Sequence, residues 1–137
     1  MRTLFAALST VLALLIAAQI LLAAYSALDP DPIEESFALH GTIGFVTVFV
    51  AVLLAVCAPL ARLTRPLTIA AWVVAGLVML QLILGTMSDG ESTGQAARMV
   101  FALHGLNAFV LAVGSVHLVR GAFAERSARA TSPSTEV

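Results

Sequence analysis

"SFALHGTIGFVTVFVAVLLAVCAPLA", residues Ser36–Ala61, runs without an aspartate, glutamate, lysine or arginine. As a helix these roughly 26 residues span about 39 Å, more than the ~30 Å of a bilayer's hydrocarbon layer. The apolar residues follow one another instead of alternating, which points to a helix and not to a half-buried strand. Lipid forces the same choice, because backbone N–H and C=O groups find no water there to bond.

Three further stretches read alike: Thr3–Leu28, Pro66–Ser88 and Met99–Val119. Each is about 21 to 26 residues, enough for one crossing. The chain of 137 residues is 60% apolar and 11% charged, against ~25% charged in soluble domains. The sequence therefore predicts an all-α integral membrane protein, an up-down four-helix bundle with helices at about 3–28, 32–61, 66–88 and 93–121. A transmembrane domain over 1–124 leaves 125–137 as a polar, aperiodic, disordered tail. Arg2, an apolar run and "AYSA" also resemble a secretory signal, but a run of about 24 residues is too long for the ~7–15 of a signal core.

Charge sets the expected orientation. Arg2, Arg62, Arg65, Arg120, Arg126 and Arg129 fall on one side once four crossings are drawn. Asp29, Asp31, Glu34, Glu35, Asp89 and Glu91 fall on the other, with Arg98 the basic residue among them. Basic residues stay inside, so both termini are expected in the cytoplasm of a multi-pass protein of the bacterial cytoplasmic membrane. Asp31, Pro32 and Glu34 have the spacing of a helix-starting cap, Ser92 and Gln95 repeat it more weakly, and "TRP" at Thr64–Pro66 turns the chain. Short loops predict antiparallel neighbours.

The quoted stretch begins with "FALHG" (Phe37–Gly41), and the same five residues return at Phe101–Gly105, each followed three residues later by Phe-Val. Helices 1 and 3 correspond as well, "QILLAAYS" (Gln19–Ser26) against "QLILGTMS" (Gln81–Ser88). The chain reads as two repeated helical hairpins, about 1–64 and 65–124, related by an axis along the membrane normal. His40 and His104 then lie at matched depth, about 8 Å inside Glu35 and Arg98, and face each other across the interior.

An ionisable residue in lipid is costly and is read as functional by default. Two neutral imidazoles make a poor zinc site, which takes four ligands, but a porphyrin supplies four nitrogens of its own and asks the protein for an axial pair. The pattern therefore points to one haem b with His40 and His104 as metal ligands. Small residues one turn on (Gly44, Ala108), after each histidine (Gly41, Gly105) and four after each glutamine (Ala23, Gly85) would give a flat ligand clearance, though membrane helices also use small residues to approach closely. Gln19 and Gln81 would bond within the bundle or orient the imidazoles. Met79 and Met87 read as core. His117 has Leu53 at the matching place and lies some 140° round the helix from His104, so it reads as interfacial, near Arg120. Arg98, about 9 Å outward of His104, would meet either haem propionates or a surface carboxylate.

The paired "LQ-x-x-LG … LHG" hairpins resemble one four-helix half of haem A synthase and, more loosely, the b-type cytochrome membrane bundles. In length and layout the chain is similar to small four-helix membrane proteins of uncharacterised function from actinobacteria, and seven arginines with no lysine suit a GC-rich genome. The resemblance implies haem binding. It implies no synthase reaction, since the second histidine pair and a catalytic acid are missing.

Phosphate loops, paired carboxylates and Ser-His-Asp sets are not visible. A net charge of −1 without a basic cluster argues against nucleic acid, and the single Cys57 implies no disulfide. Two functions remain. One is a bis-histidine haem protein transferring single electrons with a quinol or a membrane partner; the other is a haem-free accessory subunit whose histidines make interhelical hydrogen bonds.

Overall fold

A computed structural model describes residues 1–30, 33–88 and 94–130. Five helices follow in order: α1 (Arg2–Ser26), α2 (Ile33–Ser36), α3 (Ala38–Leu60), α4 (Arg65–Ser88) and α5 (Gln95–Ala130). All but the single-turn α2 are long and apolar enough to cross a membrane. The principal packing runs α1 on α3, α3 on α4, α4 on α5 and α5 back on α1. The four long helices thus stand at the corners of a square, with α1 opposite α4 and α3 opposite α5.

Each helix turns one narrow stripe inward. Phe5, Ser9, Leu12 and Ile16 line the stripe of α1, and Ala51, Leu54, Ala55 and Ala58 that of α3. Leu67, Ala71, Val74 and Val78 on α4 meet Leu111, Ser115, Leu118 and Ala122 on α5. Steps of three and four residues keep these side chains on one face. Many are alanines, because association in lipid depends on close van der Waals approach and not on hiding apolar surface from water. A Cβ on Gly121 would stand 2.7 Å from Leu67 Cδ1, so a larger residue there would push the end of the Leu67 side chain aside. The outward residues are large and apolar, among them Leu14, Leu21, Phe45, Phe49, Phe109 and Val113, as a lipid-facing surface requires. Met79 and Met87, expected in the core, are exposed members of this outer surface.

The α3–α4 turn is closed by hydrogen bonds from Leu63 N–H to the Ala58 carbonyl and from Arg62 N–H to the Pro59 carbonyl. This pairing ends a helix on a left-handed residue, and Arg62 takes that conformation with φ 51°. Around the turn, Arg2 donates to the carbonyls of Ala61 (3.3 Å), Arg62 (2.6 Å) and Glu125 (3.5 Å). Its guanidinium also pairs with the Glu125 carboxylate at 3.2 Å, whose other oxygen accepts from Thr64 N–H (2.9 Å) and Thr64 Oγ1 (2.6 Å). The first helix, the central turn and the last helix are therefore tied at one end. Arg2, Arg62, Arg65 and Arg120 gather at that end, and Asp29, Glu35 and Arg98 lie at the other.

Three expectations change. Helix α5 continues to Ala130, nine residues past the expected 121, so 125–130 are helical and not tail. The Ala-rich "AERSARA" has good intrinsic helix propensity, and the Glu125 contacts hold its start. The first helix stops at Ser26, two residues before the expected 28. The second crossing is broken near its start, because Phe37 (φ −93°, ψ 0°) separates α2 from α3. Ser26 Oγ bonds the Ser36 carbonyl at 2.6 Å, which holds this short turn against the end of α1. The expected caps at Asp31 and Pro32 and at Ser92, and the tail from 131, lie outside the described residues; so do Asp89 and Glu91.

Candidate functional site

Four polar side chains from four helices meet near the end of the bundle opposite the Arg2 contacts. Gln19 of α1 donates from Nε2 to the His40 carbonyl of α3 at 3.0 Å. Gln81 of α4 makes the matching bond to the His104 carbonyl of α5 at 3.1 Å. A glutamine in lipid must find an acceptor, and each helix carrying one sits beside a helix carrying a histidine. The two equal bonds set those neighbours at one depth.

His40 and His104 therefore stand on opposite corners, half-buried, with ring centroids 6.3 Å apart and planes inclined at 55°. His40 Nδ1 lies 3.2 Å from the backbone carbonyl of Gln19. A carbonyl can only accept, so this nitrogen carries the proton of that bond. Phe37 meets the His40 ring edge-on at 5.8 Å between centroids and limits its rotation.

The small residues divide into two sets. Gly44 and Gly85 line the site: a Cβ on Gly44 would stand 3.9 Å from Gln19 Nε2, and one on Gly85 3.4 Å from His104 Cε1. Ala23 of α1 and Ala108 of α5 are half-buried. Gly41 and Gly105 do not belong with them. Both are exposed, and a Cβ on either would meet no atom within 4 Å. One residue along a helix is a 100° turn, which carries the glycine after each histidine out of the site.

Asn107 is a site residue that the motif search passed over. It is buried, and its Nδ2 donates to Gln81 Oε1 at 2.7 Å and to the Leu77 carbonyl at 2.9 Å. The signal available was a lone amide in an apolar run, one turn after His104. Its counterpart is Ile43, so the α1–α3 half has no amide at this place. Arg98 is exposed on the first turn of α5 and His117 is exposed near the other end, outside this cluster.

Among the described residues no three of His, Cys, Asp and Glu come together as a metal group. Any ion held here would rest on the histidine pair and on ligands brought with it. No protein-family model matches the chain, and no curated protein or solved structure proved similar to it.

Proposed function

We propose that this membrane protein binds one haem b between His40 and His104 and serves one-electron transfer. The observation that carries the reading is the 6.3 Å between ring centroids. Metal–imidazole bonds are ~2.0–2.1 Å and a ring centre lies about an ångström behind its nitrogen, so rings sharing one ion in line have centres about 6 Å apart. The donor set is consistent with this, since two imidazoles satisfy a haem and do not satisfy zinc. A flat ligand between the rings spreads toward α1 and α4, where Ala23 and Gly85 are small. His40 Nδ1–H on a backbone carbonyl is the outer bond that ligating histidines generally make. A haem held there by His40 and His104 would supply a one-electron iron couple.

The basic end faces the cytoplasm under the positive-inside rule, which places both termini there and the histidine pair near the outer face. From that depth, exchange with a quinol or with a membrane or external redox partner is favoured over passage across the full ~30 Å layer. The deciding measurement is the visible spectrum of detergent-purified protein, oxidised and reduced, after expression with ample haem. A reduced spectrum with sharp α and β bands, lost in His40→Ala and in His104→Ala, supports the proposal. A colourless protein sinks it.

The reciprocal bonds between Gln19 and His40 favour a second reading, a haem-free bundle in which histidines and glutamines set helix register within a larger complex. Under it, His40→Gln and His104→Gln leave a folded, colourless protein, weakened by ~1–2 kcal/mol per lost bond.

A further inference from the structure

On the outer face of α4 and α5 lies an open groove of about 550 Å³, lined by Val74, Leu77, Phe109, Val113, Gly114 and His117 among others. It shares Val113 and His117 with a second hollow of about 520 Å³ that continues to Arg120 and Gly121. Together they form one track, apolar at its mid-membrane end and basic at its other. Among the described residues that line it, none is acidic. From Phe109 to Arg120 the track follows about eleven residues of helix, or about 16 Å. That is close to half of the ~30 Å hydrocarbon layer, the depth of one leaflet.

A ligand matching this track has an anionic head at interfacial depth and an apolar chain one leaflet long. We propose that the groove is a binding site for an anionic phospholipid, with the phosphate at Arg120 beside His117 and one acyl chain along Val113, Val74 and Phe109. Arginine suits the head because its fork of N–H donors matches phosphate oxygens. Its basic end at Arg120 lies sixteen residues, about 24 Å of helix, from His104, and at its apolar end Phe109 and Val113 are turned away from the bundle interior, so this site stands whether or not a haem is bound.

The test is native mass spectrometry of the full-length protein in detergent, titrated with phosphatidylglycerol and with phosphatidylcholine of identical chains. Phosphatidylglycerol is expected to bind more tightly. Arg120→Gln should weaken it about fivefold, as expected for one arginine near a membrane surface, and weaken phosphatidylcholine less, because choline already balances the charge of that phosphate. Val113→Trp, placed at a site 73% exposed and so free to fold, should fill the groove and weaken both lipids. Arg126→Gln, whose guanidinium stacks on Phe123 outside the groove, should change little. Equal binding of the two lipids, equal losses in Arg126→Gln and Arg120→Gln, or no effect of Val113→Trp would overturn the proposal. So would a dimer that Val113→Trp abolishes while lipid binding persists, since the groove would then hold a second copy of the chain.

Discussion

Gln19 and His40 hold each other through two bonds that run in opposite directions. The glutamine amide donates to the His40 carbonyl at 3.0 Å, and the His40 ring donates to the Gln19 carbonyl at 3.2 Å. One bond sets the height of α3 against α1 and the other sets the direction of the imidazole. In Gln19→Leu only the first is lost, because the second ends on backbone. We expect the melting free energy in detergent to fall by about 1 kcal/mol and the ring to keep its orientation. A loss above about 3 kcal/mol would mean that Gln19 has a further role.

Asn107→Leu should cost more, about 1–3 kcal/mol, because it strands both the Gln81 side-chain carbonyl and its own bond to Leu77. The double variant Asn107→Leu, Gln81→Leu should lose less than the sum of the single losses. Additive losses would break the inferred coupling.

Arg98 tests the haem reading from outside the ligand pair. If propionates of a haem held by His40 and His104 point outward, Arg98→Ala keeps the ligation, weakens haem retention and lowers the midpoint potential. The sign follows from charge, since a nearby cation favours the reduced iron. A redox titration with unchanged potential and retention would assign Arg98 to the surface, where ion pairs contribute little.

The tie between Arg2 and Glu125 predicts a sharp length dependence. A chain ending at Ala124 loses the carboxylate that holds Arg2 and Thr64 and should unfold about 2 kcal/mol more easily, as for bonds to a charged group. Glu125→Gln keeps an acceptor for Thr64 and should lose less. Thermal melts of the two variants compare them directly.

Arg62 adopts a left-handed conformation, φ 51°, that costs an L-residue about 1–2 kcal/mol. Its recorded contribution to the Arg2 contact is a backbone carbonyl. Arg62→Gly should therefore hold or raise stability, by up to about 1 kcal/mol, the greater freedom of glycine in the unfolded chain offsetting part of the gain. A clear loss would assign the Arg62 side chain a role of its own.

The apolar runs were legible as four helices because lipid leaves the backbone no alternative, and the matched "FALHG" copies were legible as two histidines at one depth. Helix rotation was not legible. Gly41 and Gly105 beside the histidines read as clearance and turn out to face outward, whereas Gly44 and Gly85, a turn or a helix away, line the site. Asn107 went unread because a single amide in an apolar run announces that it needs a partner without saying which. The end of α5 was misjudged because Glu125 looks like the start of a polar tail until Arg2 and Thr64, distant in the chain, are brought to it.

That last contact also bears on how the protein is made. Arg2 emerges at the start of the first crossing and Glu125 only after the fourth has been synthesised. Neighbouring hairpins can assemble in order as they enter the bilayer, but α1 and α5 cannot meet until the fourth crossing has been made. For that interval the inner stripe of α1, with Phe5, Ser9 and Leu12, has one side open to lipid or to an insertion factor. A premature stop or a slow final segment would leave a half-closed ring with that seam exposed, a natural mark for membrane quality control.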